Sequence, residues 1–425
     1  MYTPSTLLEL LAFERRNEYT RYSYCLQALL AKHRTIMRDF VNQKAKLLQP
    51  SGIRKFFDIV TVTEGAISLG VGEPDFVTPW KVRSAAITSL QRGHTQYTGN
   101  RGMPALLKLI SEYLETRFGL QYDPKHILVT VGGSEAIDLA LRACVENGDE
   151  VLIPDPAYVS YSPLVFMSDG KPVAVECREE DNFVLKPEYL EKAITDKTKA
   201  IILTYPNNPT GGIMTEEDLK AIAEVIIRHD LLVITDEIYA ELTYGKKHSS
   251  IVSLPGMKER TVYVSGFSKA FAMTGWRMGY VCAPPAIDEA MFKIHQYGIM
   301  CAPIMSQYAA IEALKDGLSD NFATVEEMRE SYDQRRKFVL HSLKEIGLDC
   351  FEPRGAFYAF PSVKSTGMNG ETFANELLAS RKVAVVPGNA FGSFGGDNVR
   401  LSYATSMNAL NEAFERMSAF LNERK

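Results

Sequence analysis

The sequence predicts an α/β protein: a large, doubly wound, mostly parallel sheet domain followed by a smaller α+β domain. Three observations carry that prediction. From about Ile67 onward, short apolar runs rich in β-branched residues alternate with helical patterns, the rhythm of a parallel sheet wrapped by helices. The helical patterns between the runs are long enough to cross from one parallel strand to the next. After about Pro303 the rhythm stops, and a long charged helix is followed by short strands.

Taken in order, residues 1–36 place Leu7, Leu8 and Leu11, then Tyr22, Leu26, Leu29 and Leu30, at helical spacing, which predicts an amphipathic N-terminal extension. Met37 opens a segment, 37–80, expected to form an arm and part of the small domain. The large domain is expected over 81–303, with strands at Ile127–Val131, Glu150–Ile153, Ala200–Thr204, Leu231–Thr235 and Thr261–Val264, and helices such as Ser134–Val145 and Glu216–His229. Residues 304–425 should form the small C-terminal domain, with a helix over Glu326–Ile346 and strands around Gly355–Phe360, Val383–Val386 and Val399–Tyr403. A chain of 425 residues exceeds the ~250 to 300 at which single cores tend to divide, which also favours two domains.

Composition narrows the partners. A formal net charge of -5 offers no general attraction to nucleic acid or an anionic membrane, and neither is expected. No stretch approaches the ~20 apolar residues of a membrane span, and the early run Leu7–Phe13 is broken by Glu9. Six scattered cysteines without a short-spaced framework suit a reducing cytoplasm. The seven histidines show no metal-ligand spacing, so no metal is expected.

The strongest local pattern is Gly266-Phe-Ser-Lys269-Ala-Phe-Ala-Met-Thr-Gly-Trp-Arg277-Met-Gly279, directly after the strand Thr261–Val264. A lysine that forms a Schiff base must let a flat ring approach its nitrogen, so small neighbours and a nearby fixed cation make physical sense. An isolated Ser-Lys pair in a Gly/Ser-rich loop would read as a surface lysine; this pattern is much longer. Val131-Gly132-Gly133-Ser134-Glu135-Ala136 forms a strand-to-helix turn, where free N–H groups and the helix dipole favour an anion, although glycines there also serve as simple punctuation. Asp236-Glu237-Ile238-Tyr239 follows an apolar strand, which places Asp236 at a strand's carboxyl end, where ligands gather in open α/β sheets. A carboxylate there can keep a pyridine nitrogen protonated. Tyr205-Pro-Asn207-Asn208-Pro209-Thr-Gly211-Gly212 has turn composition. Arg400 sits in an otherwise apolar strand, a costly place for a charge without a partner, and its planar fork matches a carboxylate.

With these motifs the sequence resembles the class I/II aminotransferases, fold type I enzymes that depend on pyridoxal 5'-phosphate, from about Ser51 to the end. The resemblance implies that Lys269 carries the cofactor as an imine and later shuttles the proton, that Arg277 and the Gly133-Ser134-Glu135 turn hold its phosphate, and that Asp236 faces its ring nitrogen. Tyr239 would donate to the phenolic oxygen, and Tyr158 would stack on the ring. Tyr97 would reach a phosphate across a homodimer interface. The serine some relatives have at the position of Gly266 is missing, so Ser265 or Ser268 would supply that hydroxyl. Asn208, ahead of Asn207, would contact cofactor and substrate, Gly72 would line the substrate site, and Arg400 would bind the α-carboxylate. The implied activity moves an amino group from an L-amino acid, aromatic, aspartate or related, to a 2-keto acid such as 2-oxoglutarate. Alternatives are N-acetyl-diaminopimelate aminotransferase, since Ser51-Gly-Ile-Arg54-Lys-Phe56 and His295-Gln-Tyr297 resemble those enzymes and archaeal aromatic aminotransferases, and cysteine-S-conjugate β-lyase. A transcription regulator with such a domain would need a DNA-binding module, for which 36 residues before Met37 are too few.

Overall fold

The computed structural model describes residues 38–50 and 63–424; the extension predicted over 1–36 and the motif Ser51–Phe56 lie outside them. The chain divides into two units, Met1–Gln49 and Pro50–Lys425. In the first, the short helix α1 (Gln43–Leu47) starts at Asn42, whose side chain caps it by accepting from the Lys44 N–H at 2.8 Å.

In the second unit the strands are β1 (Ile67–Ser68), β2 (Ile127–Val131), β3 (Glu150–Asp155), β4 (Lys171–Glu176), β5 (Thr198–Leu203), β6 (Leu232–Asp236), β7 (Thr261–Gly266), β8 (Met278–Cys282), β9 (Tyr358–Ala359), β10 (Val383–Ala384), β11 (Val386–Pro387) and β12 (Val399–Ser402). The helices are α2 (Trp80–Gln91), α3 (Pro104–Phe118), α4 (Gly132–Cys144), α5 (Tyr161–Met167), α6 (Pro187–Ala193), α7 (Glu216–Arg228), α8 (Pro285–Gly298), α9 (Ile304–Asp320), α10 (Ala323–Glu345), α11 (Gly370–Arg381) and α12 (Met407–Asn422).

Strands β2 to β8 make one sheet in the order β2-β8-β7-β6-β5-β3-β4. Only β8 runs against its neighbours, β2 and β7; the other pairs are parallel. Both faces are covered. Leu128, Val151, Ile153, Ala200, Ile202 and Ile234 enter the core under α4, while the alternate residues Ile127, Val129, Leu152, Ile201 and Val233 enter the cores of the opposite face. A sheet buried on both faces needs unbroken apolar runs rather than alternation, and that is what the sequence shows.

Each strand predicted for the large sheet forms, with ends moved by two residues at most; in the tail, the strand predicted around Gly355–Phe360 shrinks to β9 and that around Val383–Val386 divides into β10 and β11. Three strands had no forecast: the two-residue β1, β4 and β8. β4 lies at the sheet edge, where most of its side chains are exposed or half-buried, so it lacks the apolar run that marks its neighbours. β8 is wholly buried but contains Gly279 and starts directly after Arg277, inside the stretch read as a lysine motif. Helix α7 opens with a capping box in which Thr215 and Asp218 satisfy each other's N–H groups. The long charged helix of the tail is α10, beginning three residues before its predicted start.

After the sheet, β11, β12 and β9 form a small antiparallel sheet, and β1 pairs in parallel with β10, Ile67 opposite Val383. The chain around Gly70 is thereby held beside β12, where Ser402 N–H donates to Leu69 O at 2.6 Å. Among the described residues no helix is long and apolar enough to cross a membrane.

Candidate active site

A cavity of about 570 Å³ is lined by residues from the carboxyl ends of β2, β5 and β6, from the loop after β7, and from the chain around Gly72 and Arg400. One part of its wall is built to receive an anion. Helix α4 begins at Gly132 without a side-chain cap, because the residue before it is Val131, so its first N–H groups stay available. Gly132 has φ +77°, and a Cβ there would stand 2.7 Å from Arg277 Nη2. A Cβ on Gly279 would stand 2.5 Å from the Gly132 carbonyl carbon. Only glycines let β8 and the start of α4 approach so closely, and the approach brings the Arg277 guanidinium against the helix start. Gly133, Ser134, Ser268 and Arg277 all line the cavity.

Asp236 ends β6 and is buried. Its carboxylate accepts from Tyr161 Oη at 2.8 Å and from the Ile238 N–H at 3.2 Å, and burial pushes its pKa up to about 6. Tyr161 in turn accepts from Thr204 Oγ1 at 2.6 Å. Lys269 Nζ donates to Gly72 O at 2.6 Å and lies 5.6 Å from the Tyr239 ring centre and 5.7 Å from that of Phe357. Burial brings its pKa down to about 8, against the opposing pull of Glu73, so at pH 7 roughly a tenth of the amine is free of its proton, far more than for an ordinary lysine. Tyr239 Oη meets Tyr358 Oη at 2.7 Å, and burial holds the Tyr239 phenol well above its ordinary range.

Arg400, on β12, is 2% exposed. Its Nη1 donates to Asn208 Oδ1 at 2.8 Å and its Nη2 to Gly70 O at 2.6 Å. The guanidinium lies 4.5 Å from the Tyr358 ring centre and 4.7 Å from that of Phe391. Its Nε is buried without a hydrogen-bond partner, and burial lowers its pKa. No carboxylate of this chain answers the charge among these contacts; the partners are an amide, a carbonyl and two rings.

The structure therefore gathers Gly72, Gly133, Ser134, Tyr158, Asn208, Asp236, Tyr239, Ser268, Lys269, Arg277 and Arg400 around one cavity. Three expected residues stand elsewhere. Glu135 does not line the cavity: its carboxylate accepts from the Val131 N–H and faces His295 Nδ1 at 2.7 Å, which also keeps a negative charge out of an anion site. Ser265 is turned to the Glu237 carbonyl at 3.3 Å, because as a strand residue beside Gly266 it faces the other way from the loop that carries Ser268. Tyr97 lies outside the cavity and is 82% exposed. The two asparagines separate as well. Asn207 holds its own turn, accepting from Thr210 N–H and Oγ1 at 3.1 and 2.9 Å, and Asn208 reaches Arg400. Tyr358, Tyr161, Thr204, Glu73 and Thr274 also line the cavity and had no forecast. Tyr358 lay inside a predicted strand and read as core; Tyr161, three residues after Tyr158, offered only its spacing.

An uncapped helix start with an arginine, a buried carboxylate and a buried amine of lowered pKa suit the phosphate, ring nitrogen and aldehyde of pyridoxal phosphate. On the strand ends of this sheet they define a fold type I enzyme that depends on that cofactor. The family model for aminotransferase class I and II matches residues 64–417, and the chain belongs to that family: it is an amino-acid aminotransferase. It is 53% identical over 388 residues to YugH of Bacillus subtilis (strain 168), covering 91% of this chain and 100% of that one. An aspartate aminotransferase of Pyrococcus abyssi is 47% identical over 387 residues, 91% of this chain and 99% of that one. The crystal structure of an aromatic aminotransferase from Pyrococcus horikoshii OT3 superposes with a TM-score of 0.83 at 47% identity, covering 88% of this chain and 99% of that one.

Proposed function

We propose that the enzyme takes its amino group from an aromatic amino acid, aspartate or a related L-amino acid and gives it to a 2-keto acid such as 2-oxoglutarate. The observation that carries this reading is Arg400: a buried guanidinium without a carboxylate partner, opening on the cavity that holds the Lys269 amine. Arg400 would bind the α-carboxylate through its fork, steadied by Asn208 and Tyr358. Bound pyridoxal phosphate supplies a protonated ring that can accept the electron pair left on the substrate Cα. The chain does the rest. The first turn of α4, Ser268 and Arg277 would hold the phosphate; Asp236 would keep the ring nitrogen protonated, its charge tuned by Tyr161; Tyr239 and Tyr358 would orient the ring oxygen; and Tyr158 would lie against the ring. Lys269 would anchor the cofactor, then, once displaced by the substrate amine, take the Cα proton and deliver it to the neighbouring carbon. With a pKa lowered to about 8, it would be basic enough to take that proton while part of the amine is uncharged.

Ile137, Tyr158, Ile238 and Tyr358 give the cavity an apolar wall, which suits an aromatic side chain; the Pyrococcus relatives named for aspartate and for aromatic substrates keep both classes in view. Tyr97, exposed at 82%, would complete the site of a second copy in a homodimer. Free thiols at Cys144, Cys177, Cys282, Cys301 and Cys350 suit a cytoplasmic setting. The test is to give the cofactor-loaded protein each amino acid alone and follow cofactor absorbance and keto-acid release. Stoichiometric keto acid, ranked by donor, is expected; catalytic pyruvate and ammonia from cysteine conjugates without an acceptor would replace the reading with a β-lyase.

A further inference from the structure

His295, in a motif with no part in the chemistry above, sits fully buried between the start of α4 and the loop after Tyr97. Its Nδ1 faces Glu135 Oε1 at 2.7 Å and its Nε2 faces Asn100 O at 3.0 Å. A carbonyl oxygen only accepts, so Nε2 carries a hydrogen; the contact with the Glu135 carboxylate likewise requires a proton between the two groups. The other oxygen of Glu135 accepts from the N–H of Val131, the residue just before α4. One buried ring thus ties the helix start to the 97–102 loop. The loop itself is fixed by further side chains: buried Gln307 donates from Nε2 to Thr98 Oγ1 at 3.0 Å and accepts at Oε1 from Met103 N–H at 2.7 Å, while half-buried Arg101 donates to Asp288 at 2.7 Å. His295 therefore connects an anchored loop to the start of α4, a part of the cavity wall that has no side-chain cap.

We propose that His295 is a positioning residue for the cofactor phosphate: through Glu135 it sets the first turn of α4 against the Arg277 guanidinium, and touches neither cofactor nor substrate. This rests on the reading of that turn as the phosphate cradle. Asparagine can reproduce the Nδ1 contact with Glu135 and glutamine the Nε2 contact with Asn100, so His295→Asn and His295→Gln each keep one of the two bonds while losing comparable packing. The measurement is the ratio of dissociation constants for pyridoxal and pyridoxal phosphate on the full chain stripped of cofactor, which isolates the phosphate's share of binding. His295→Gln should lower that ratio by about tenfold or more, since a charge-assisted bond is lost, and His295→Asn should stay within about threefold of wild type. A packing defect would shift both variants alike. Equal effects, or none, in a background where Arg277→Lys does lower the ratio, overturn the inference alone; an Arg277→Lys protein with the wild-type ratio overturns the cradle reading and the inference with it. Should the histidine variants fail to fold, Glu135→Ala breaks the same link from the other side, and an unchanged ratio there overturns the proposal.

Discussion

Replacing Arg400 offers the sharpest separation of substrate binding from cofactor binding. In Arg400→Ala the carboxylate of an incoming amino acid loses a bidentate partner in a buried place, and Asn208 Oδ1 and Gly70 O lose the donors they meet at 2.8 and 2.6 Å. Losing one side of a buried charge pair costs about 2 to 5 kcal/mol. At 1.36 kcal/mol per tenfold, kcat/KM should fall by roughly thirty-fold to several thousand-fold. Arg400→Lys should recover only part of this, because an ammonium restores charge but not the planar fork that Tyr358 and Phe391 flank. The proposed phosphate cradle, Gly132 to Ser134 with Arg277, does not include Arg400, so the cofactor dissociation constant should move little. Steady-state kinetics with several donors, paired with cofactor titration, checks both halves. Wild-type kcat/KM in Arg400→Ala for every accepted amino acid, or a loss of cofactor in place of substrate affinity, would refute the assignment.

Lys269→Ala should abolish steady-state transamination while leaving part of the cofactor affinity, measured by equilibrium dialysis, because the proposed ring and phosphate contacts come from other residues; normal turnover would remove the central reading. Capture of pyridoxal phosphate by the stripped protein should accelerate as pH rises through about 8, where burial has placed the Lys269 pKa; a rate flat from pH 7 to 9 in stopped-flow absorbance would contradict that. Asp236 has its folded pKa raised to about 6 from 3.8, so its favourable contribution is complete below the ordinary carboxylate range and is lost as pH rises through about 6. Asp236→Asn should therefore be more stable than wild type in cofactor-free form at pH 7, by about 2 to 3 kcal/mol at most, with the advantage vanishing toward pH 4 in denaturant titrations. The same variant, loaded with cofactor, should release the Cα proton slower by orders of magnitude, as single-turnover kinetics would show. Tyr161→Phe removes the bond that stabilises ionised Asp236, so it should shift the pH dependence of that step upward, and an unchanged profile would separate Tyr161 from the site.

Where burial is uniform along a segment, sequence alone determined the outcome. The strands β2, β3, β5, β6 and β7 could be read because a sheet covered on both faces demands continuous apolar runs, and helices α4 and α7 because their apolar stripes have helical period. Lys269, Arg277, Asp236 and Arg400 stood out because a charge or a run of small residues beside such a strand conflicts with packing unless chemistry uses it. The edge strand β4 lacked that signal, and β8 was hidden by the lysine motif in which it begins. What only the tertiary structure decided was which atoms meet across long separations: that Ser268 and not Ser265 faces the cavity, that Asn208 turns to Arg400 while Asn207 closes its own loop, that Tyr358 flanks the guanidinium, and that Glu135 is taken by His295, 160 positions away. The physical reason is that side-chain direction at a strand end or in a tight turn depends on a register and on backbone angles set by distant neighbours, such as the close approach of Gly279 to Gly132, and no local pattern carries that information.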